Sequence, residues 1–360
     1  MRILITGVGG PTPRSIARSL RWYSRYARYE LIGTDINPHA RDLYDETLYN
    51  KTYLVPPAGH PDYWPALEDI LENHQIDIAL IQPEKEVLAW SERASEGSSF
   101  PCKVLLPDYE LAQLLVDKSK MTRVLAPYGL VPPSIAFRSE ELDWASIEDV
   151  LDYPFWVRST SGSSGLGSLK VEDRPALQNW LRINAGVDRF LASSFLPGRN
   201  LACKLLYFEG GLVRAACAER VQYIMAKVAP SGITGNTAFG RLINEPALVE
   251  AAEKAMTLLF EHTGATPHGF FTVDFKEDGR GRPFITEVNV RHVAFSICFA
   301  AGGANFAEDT VRLLDGDPGF GRAFRVHSFE PDLIFLRDVD APPLLMRESQ
   351  LFTQENEKGR

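Results

Sequence analysis

The strongest constraint on what this chain can fold into is a pair of strand-like runs near its C-terminal end. His268-Gly-Phe-Phe-Thr-Val-Asp-Phe-Lys alternates with period two, and Glu277-Asp-Gly-Arg-Gly supplies turn residues. Phe284-Ile-Thr-Glu-Val-Asn-Val-Arg291 then resumes the alternation. A hairpin is predicted, with Asp274, Glu287 and Asn289 on one side of it and Arg291 continuing the same face. Two carboxylates and an amide at this spacing suit a hard cation such as Mg²⁺, with Mn²⁺ as a substitute, because such ions take oxygen ligands and share them with the phosphates of a nucleotide. An exposed hairpin with solvated acids is the plain alternative.

The rest of the chain sets the context. Its 360 residues, 45% hydrophobic and 24% charged, are enough for a substantial core divided over two or three domains. Thirty-eight basic against 47 acidic residues give a net charge of -9, which disfavours non-specific nucleic-acid binding but leaves small anionic ligands open. Cys102, Cys203, Cys217 and Cys298 are far apart and form no CxxC pair. No apolar run has the length of a membrane span, and the opening Met1-Arg-Ile-Leu-Ile-Thr-Gly does not read as a signal peptide. A cytoplasmic protein without nucleic-acid or membrane partners is expected.

The first hundred residues alternate strand and helix. Ile3-Leu-Ile-Thr and Glu30-Leu-Ile-Gly-Thr-Asp35 read as buried strands around a helix carrying Ile16 and Leu20. Trp64, Leu67 and Leu71 mark a second helix before the strand Asp77-Ile-Ala-Leu-Ile-Gln. This βαβαβ order predicts a parallel, doubly wound sheet. Glycines after the first strand invite a dinucleotide site, but the third glycine of GxGxxG is replaced by Thr12, and Pro11 and Pro13 crowd the turn. Arg14, Arg18, Arg21, Arg25 and Arg28 recur at helical spacing as a basic stripe, read either as a solvated face or as an anion or partner surface.

Beyond Asp108 a helical stretch from Leu111 to Ala126 contains Lys118. A strand, Pro154-Phe-Trp-Val-Arg158, then leads into the loop Ser159-Thr-Ser-Gly-Ser-Ser-Gly-Leu-Gly167. Such a loop can bring backbone N–H groups close to phosphate oxygens, or can simply be a hairpin turn. Leu248, Ala252, Ala255 and Leu259 share a helical face and are predicted core.

The order of these pieces resembles the ATP-grasp superfamily, most closely its carbamoyl-phosphate-synthase-like and carboxylate–amine ligase branches. The matching pieces are the Rossmann-like start, the helix with Asp117-Lys118, the strand and glycine-rich loop to Gly167, the segment Phe190-Leu-Ala-Ser-Ser-Phe-Leu-Pro-Gly198, and the strands with Asp274, Glu287-Val-Asn289 and Arg291. The resemblance implies an α/β chain with a Rossmann-like pre-ATP-grasp domain (1–108) and a two-lobed α+β ATP-grasp domain. Its lobes are a lid lobe with a bridging helix (109–188) and a C-terminal lobe with the metal site (189–346), followed by a polar tail (347–360).

The same resemblance implies ATP and Mg²⁺. Adenine would pack near Leu191, Ala192 and Ser194, with Lys118 and Arg158 on the phosphates and Ser161, Gly162, Ser163, Ser164 and Gly165 in a closing lid. Asp274, Glu287 and Asn289 would hold the metal, and Arg291 would stabilise the transferring phosphoryl group. Substrate contacts are assigned to Arg220, Lys227, His292 and Ser296, with a buried structural role as the alternative for His292. Family members usually carry lysine at Arg158, an acid near Ser194 or Asn200, and proline at His292, so nucleotide contacts are expected to differ here. The implied activity is an ADP-forming ligase joining a small carboxylate to an amine, in a chain expected to pair as a homodimer. A small-molecule kinase or a non-catalytic nucleotide-binding protein would use the same cleft.

Overall fold

A computed structural model describes residues 1–162, 167–339 and 344–350. The opening strand β1 (Arg2–Thr6) has four of its five residues buried, as a strand covered on both faces must. It is the centre of an all-parallel sheet with β2 (Glu30–Asp35), β3 (Lys51–Leu54), β4 (Ile78–Leu80) and β5 (Lys103–Val104), in the order β3-β2-β1-β4-β5. The order reverses between β1 and β4, so a crevice opens beyond their C-terminal ends. Helices α1 (Pro11–Tyr23), α2 (Tyr63–Asn73) and α3 (Glu84–Ser95) follow β1, β3 and β4.

The predicted helix over 111–126 is two helices, α4 (Tyr109–Val116) and α5 (Lys118–Leu125). Asp117 causes the break. Its side chain accepts from the N–H groups of Ser119 and Lys120, which caps a new helix and puts Lys118 at its first position. A four-stranded sheet follows, built from β6 (Ser134–Arg138), β7 (Phe155–Ser159), β8 (Leu169–Val171) and β9 (Arg189–Ser194) in the order β6-β9-β7-β8. It is covered by α6 (Trp144–Glu148) and α7 (Arg174–Ile183).

The largest sheet runs β14-β13-β10-β11-β12-β16-β17. Its strands are β10 (Asn200–Phe208), β11 (Gly211–Tyr223), β12 (Thr237–Ile243), β13 (Gly269–Glu277), β14 (Pro283–Asn289), β16 (Leu333–Leu336) and β17 (Leu344–Arg347), and the short β15 (Arg325–Val326) adds to β11. Helix α8 (Pro246–Thr263) packs on one face through Leu248, Ala252, Ala255 and Leu259, all buried. Two further helices, α9 (Ser296–Ala301) and α10 (Phe306–Asp315), lie between β14 and β15.

Cores show how the sheets are joined. One apolar cluster runs from Leu4 and Ile32 of the first sheet through Leu111, Met121 and Leu125 to Val273 and Val288 of the third. A second seam places Ala307 and Val311 of α10 against Ile3, Ile5 and Ile16, so a C-terminal helix covers part of the N-terminal sheet. The four-stranded sheet has a core of its own around Phe155, Val157, Leu177 and Phe190.

Two expectations change. The basic stripe is not a simple solvated face. Helix α1 stops at Tyr23, short of Arg25 and Arg28, while Arg14 bonds the fully buried Asp42 and Arg21 donates to the carbonyls of Leu48 and Tyr29. The expected polar tail starts as structure: Arg347 pairs with Leu333, and Glu348 holds Arg241 in an ion pair. Residues 351–360 lie outside the described residues. Among the described residues no helix is long and apolar enough to cross a membrane, and all four cysteines are free thiols.

Gly198, between β9 and β10, sets the seat of the third sheet. A Cβ there would lie 2.6 Å from Glu277 Cβ and 2.9 Å from two backbone carbonyl oxygens. Backbone cannot step aside as a flexible side chain can, so Gly198→Ala should destabilise the protein by about 1–3 kcal/mol in urea unfolding. An unchanged midpoint would show that this approach is not tight.

Candidate active site

The crevice at the β1/β4 switch continues between the four-stranded sheet and the β13–β14 hairpin as one cleft of about 1090 Å³. On the hairpin Asp274 pairs with Glu287 and Thr272 with Asn289, so Asp274, Glu287 and Asn289 share one face. The register slips between Asp274 and Phe275, leaving Thr286 as an extra residue. This bulge turns the Thr286 carbonyl out to accept from Arg158, while the Thr286 hydroxyl donates to the Asp274 carbonyl at 3.2 Å. Asn289 Nδ2 donates to Asp274 Oδ2 at 3.3 Å.

Four cations face these two acids. Lys118 Nζ donates to the Gly162 carbonyl at 2.7 Å and lies 3.2 Å from Glu287 Oε1. Arg220 of β11 is ion-paired with Asp274 Oδ1. Arg158 and Arg291 complete the ring, all six groups lining the cleft. Burial pushes the Glu287 carboxyl upward, but Lys118, Arg158 and Arg291 outweigh it and hold the group below the usual carboxylate range. At Asp274 burial, seconded by Glu287, wins over Arg220 and raises the pKa. Burial also lowers Arg158, against the pull of Glu287 and Asp274. The Nε groups of Arg158 and Arg220 are buried without a hydrogen-bond partner. Glu84 also lines the cleft within the fields of Arg291, Lys118 and Glu287, so four cations face three acids, and with two donors unsatisfied this end of the cleft keeps an excess of positive charge.

No family model and no curated protein matches the sequence. Solved structures do match in shape. N5-carboxyaminoimidazole synthetase of Staphylococcus aureus in complex with ADP superposes with a TM-score of 0.70, at 15% identity over 93% of this chain and 81% of that one. L-amino acid ligase of Bacillus licheniformis gives 0.64, at 14% identity over 93% and 78%. The biotin carboxylase domain of the Hydrogenobacter thermophilus 2-oxoglutarate carboxylase, with MgADP and bicarbonate, gives 0.65, at 13% identity over 93% and 74%. The chain has the ATP-grasp fold.

Within that ATP-grasp fold several expected site residues are placed elsewhere. Leu191 and Ala192 are buried in β9, with β6 on one side and β7 on the other, so their backbone is committed to the sheet. The cleft is lined instead by Ser193 to Leu196, where β9 ends at Ser194; Ser194 belongs to both sets. Ser161 is exposed and off the cleft, while Gly162 lines it. Ser163, Ser164 and Gly165 lie outside the described residues. Lys227 is exposed on a short 3-10 turn away from the cleft. His292 is 3% exposed and stacks on Phe270 with ring centroids 3.7 Å apart. Burial, then Lys204 and Arg291, drives its pKa well below the normal histidine value, so it is a neutral core residue. Ser296 is buried, accepting from Lys204 Nζ at 2.6 Å and donating to the Val293 carbonyl at 2.8 Å.

Trp156, Phe195 and Leu196 line the cleft and were missed, although the aromatic residues at the ends of strand-like runs were a signal. Lys204 was missed as well. It stands alone in the apolar run Leu201-Ala-Cys-Lys-Leu-Leu-Tyr, fully buried among Phe270, Phe295 and Phe299. Burial, reinforced by Arg220, brings its pKa down to about 7.

The lowered value has a definite sign. Between about pH 7 and the ordinary lysine range the unfolded chain carries a proton that the folded one has released, so stability rises with pH across that window. Lys204→Met should therefore be more stable than the parent near pH 7, with the difference shrinking toward pH 10 in thermal melts. A constant difference would mean that Lys204 does not titrate in the folded protein.

Proposed function

We propose that the protein is an ADP-forming ligase that activates a small-molecule carboxylate with ATP and joins it to an amine. The observation that carries this reading is the six-group ring of Asp274, Glu287, Lys118, Arg158, Arg220 and Arg291 around one cleft. Phosphoryl transfer asks a protein for position and for cancellation of negative charge, and needs no protein nucleophile. Among the described residues the cleft lining holds no cysteine or histidine. The similar structures that hold ADP or MgADP support the assignment of a nucleotide to this cleft.

The residues fit a divalent ion. Among the described residues no group of three or more His, Cys, Asp or Glu side chains could hold a metal alone. Asp274, Glu287 and Asn289 form the partial oxygen set that suits an ion sharing its remaining positions with phosphates. Asp274, raised first by burial and then by the facing Glu287, would be held ionised by a divalent cation. That ion would supply charge neutralisation for the β- and γ-phosphates.

The protein's own groups do the rest. Lys118 of α5 and Arg158 of β7 bind the phosphates, and Lys118 exchanges its contact with the Gly162 carbonyl for a phosphate oxygen. Arg291 meets the charge that develops on the transferring phosphoryl group. Arg220, anchored on Asp274 with its Nε–H free, receives the substrate carboxylate. A carboxylate oxygen then attacks the γ-phosphorus, ADP leaves, and the amine displaces phosphate from the acyl phosphate and loses a proton. The walls exclude water from that intermediate.

Calorimetry with MgATP, paired with ADP release over a panel of acids and amines, tests the reading. ADP release that requires both an acid and an amine supports a ligase. Release with one acceptor and no amine identifies a kinase, and binding without release over the whole panel identifies a nucleotide-binding protein. Glu287→Gln should lower ADP release by about a hundredfold or more while the circular dichroism spectrum stays unchanged, because it removes charge at constant volume. Wild-type turnover in that variant would remove Glu287 from the machinery.

A further inference from the structure

Behind the cleft, Lys204 is a residue whose presence packing does not explain. It leaves β10 for a shell of Phe270, Phe295 and Phe299, with Nζ 5.4, 5.5 and 4.9 Å from the three ring centroids. Among the described residues its side chain has no ion-pair partner and one hydrogen bond, to Ser296 Oγ at 2.6 Å. Burial disfavours its charge, and an apolar side chain of similar length would pack against the same rings without that cost. The contact with Ser296 is what an apolar side chain could not make.

Ser296 begins α9 and closes the turn that leaves β14. Its N–H and its hydroxyl both donate to the Val293 carbonyl, at 3.0 and 2.8 Å, and its Oγ lies 3.5 Å from His292 Nδ1. Next along the chain, Ile297 N–H donates to Ser15 Oγ of α1 at 2.6 Å. At the other end of the turn the Arg291 carbonyl accepts from the Thr272 hydroxyl at 3.4 Å, and Thr272 is the cross-strand neighbour of Lys204. Lys204 and Thr272 therefore grip this stretch from behind, at its two ends, and His292, Val293, Ala294, Phe295 and Ser296 are all buried.

The front of the turn faces the cleft. Val293 and Ala294 line it, and so does Arg291. Among the described residues the Arg291 guanidinium makes one hydrogen bond, from Nη1 to the His292 carbonyl at 3.0 Å. Where that carbonyl stands thus sets where the guanidinium can act. We propose that Lys204 is a positioning residue: through Ser296 it fixes the turn 292–295, and the turn fixes the Arg291 guanidinium in the cleft. A long side chain holds its charge at one point only when it is pinned, and a displacement of about 1 Å at a reacting group can cost on the order of a hundredfold in rate. This role rests on the proposed function, in which Arg291 meets the γ-phosphoryl group.

Calorimetry with Mg²⁺ and either ADP or the β,γ-imido analogue of ATP separates contacts to the γ-phosphate from the rest of the nucleotide. Lys204→Met, Ser296→Ala and the double variant remove one contact from its two ends. Each should bind the analogue about tenfold more weakly than wild type and ADP within about twofold of it, with the double variant matching the single ones. A merely structural role would weaken both nucleotides alike. Unchanged analogue binding in Lys204→Met, an equal loss for ADP and the analogue, or losses that add in the double variant would each overturn the positioning role while leaving the nucleotide site in place. Wild type that binds neither nucleotide would overturn the proposed function, and the positioning role with it.

Discussion

Lys118 and Glu287, 3.2 Å apart, are the contact on which the cleft depends. Lys118 is the first residue of a helix made by the Asp117 cap, its backbone N–H donates to Thr160, and its Nζ reaches Gly162. Glu287 belongs to the hairpin of another sheet. One side chain therefore ties together the bridging helices, the loop beyond β7 and the acid strand. Charges so deeply placed are a poor route to stability, since desolvation consumes most of what their attraction returns. Their concentration here, Asp274, Glu287 and Glu84 among four cations with two guanidinium nitrogens unsatisfied, makes sense as the prepared environment that the proposed function requires.

The apolar cores determine which parts of that environment are fixed together. The first and third sheets share a continuous core through α4, α5 and α8, whereas the four-stranded sheet packs on its own cluster. Across the gap the links near the cleft are polar: Lys118 N–H to the Thr160 carbonyl, Lys118 Nζ to Gly162, and Arg158 to the Thr286 carbonyl. Phosphate oxygens are the stronger acceptors for the same donors, because hydrogen bonds between ionised partners exceed those to a neutral carbonyl. In the proposed function, ligand contacts and these contacts between the lobes draw on one set of nitrogens.

Legibility in the sequence followed the reach of local rules. The hairpin was readable because strand alternation carries Glu287 and Asn289, at i and i+2, to one face, where the cross-strand register brings Asp274 opposite Glu287. The opening parallel sheet was readable from buried runs separated by helices. Where a pattern stopped, the reading failed. Alternation ends at Asn289, so phase was lost at His292 and Ser296, which turn inward onto Phe270 and Lys204. Leu191 and Ala192 lie close in sequence to the cleft, but β9 is an inner strand and holds their backbone. Helical spacing aligned the arginines of α1 without revealing that Asp42, Leu48 and Tyr29 wait for two of them.

The turn after β1 shows why this parallel sheet is not a dinucleotide site despite its glycines. A nucleotide-binding turn needs free backbone donors at the helix start and a free acid at the end of the second strand. Here Asp35 accepts from Gly9 N–H at 2.7 Å through one oxygen and from Asn37 N–H at 2.8 Å through the other. Pro11 and Pro13 withhold donors, and Gly7 is fixed against Pro83, where a Cβ would fall 2.4 Å from Cγ. The turn is closed on itself and serves as a wall. In the proposed function anion recognition therefore falls to side-chain cations, from β7, α5, β11 and the end of β14. Recognition built from such charges responds to ionic strength far more than one built from a helix terminus and hydrogen bonds alone, because mobile ions compete for each cation.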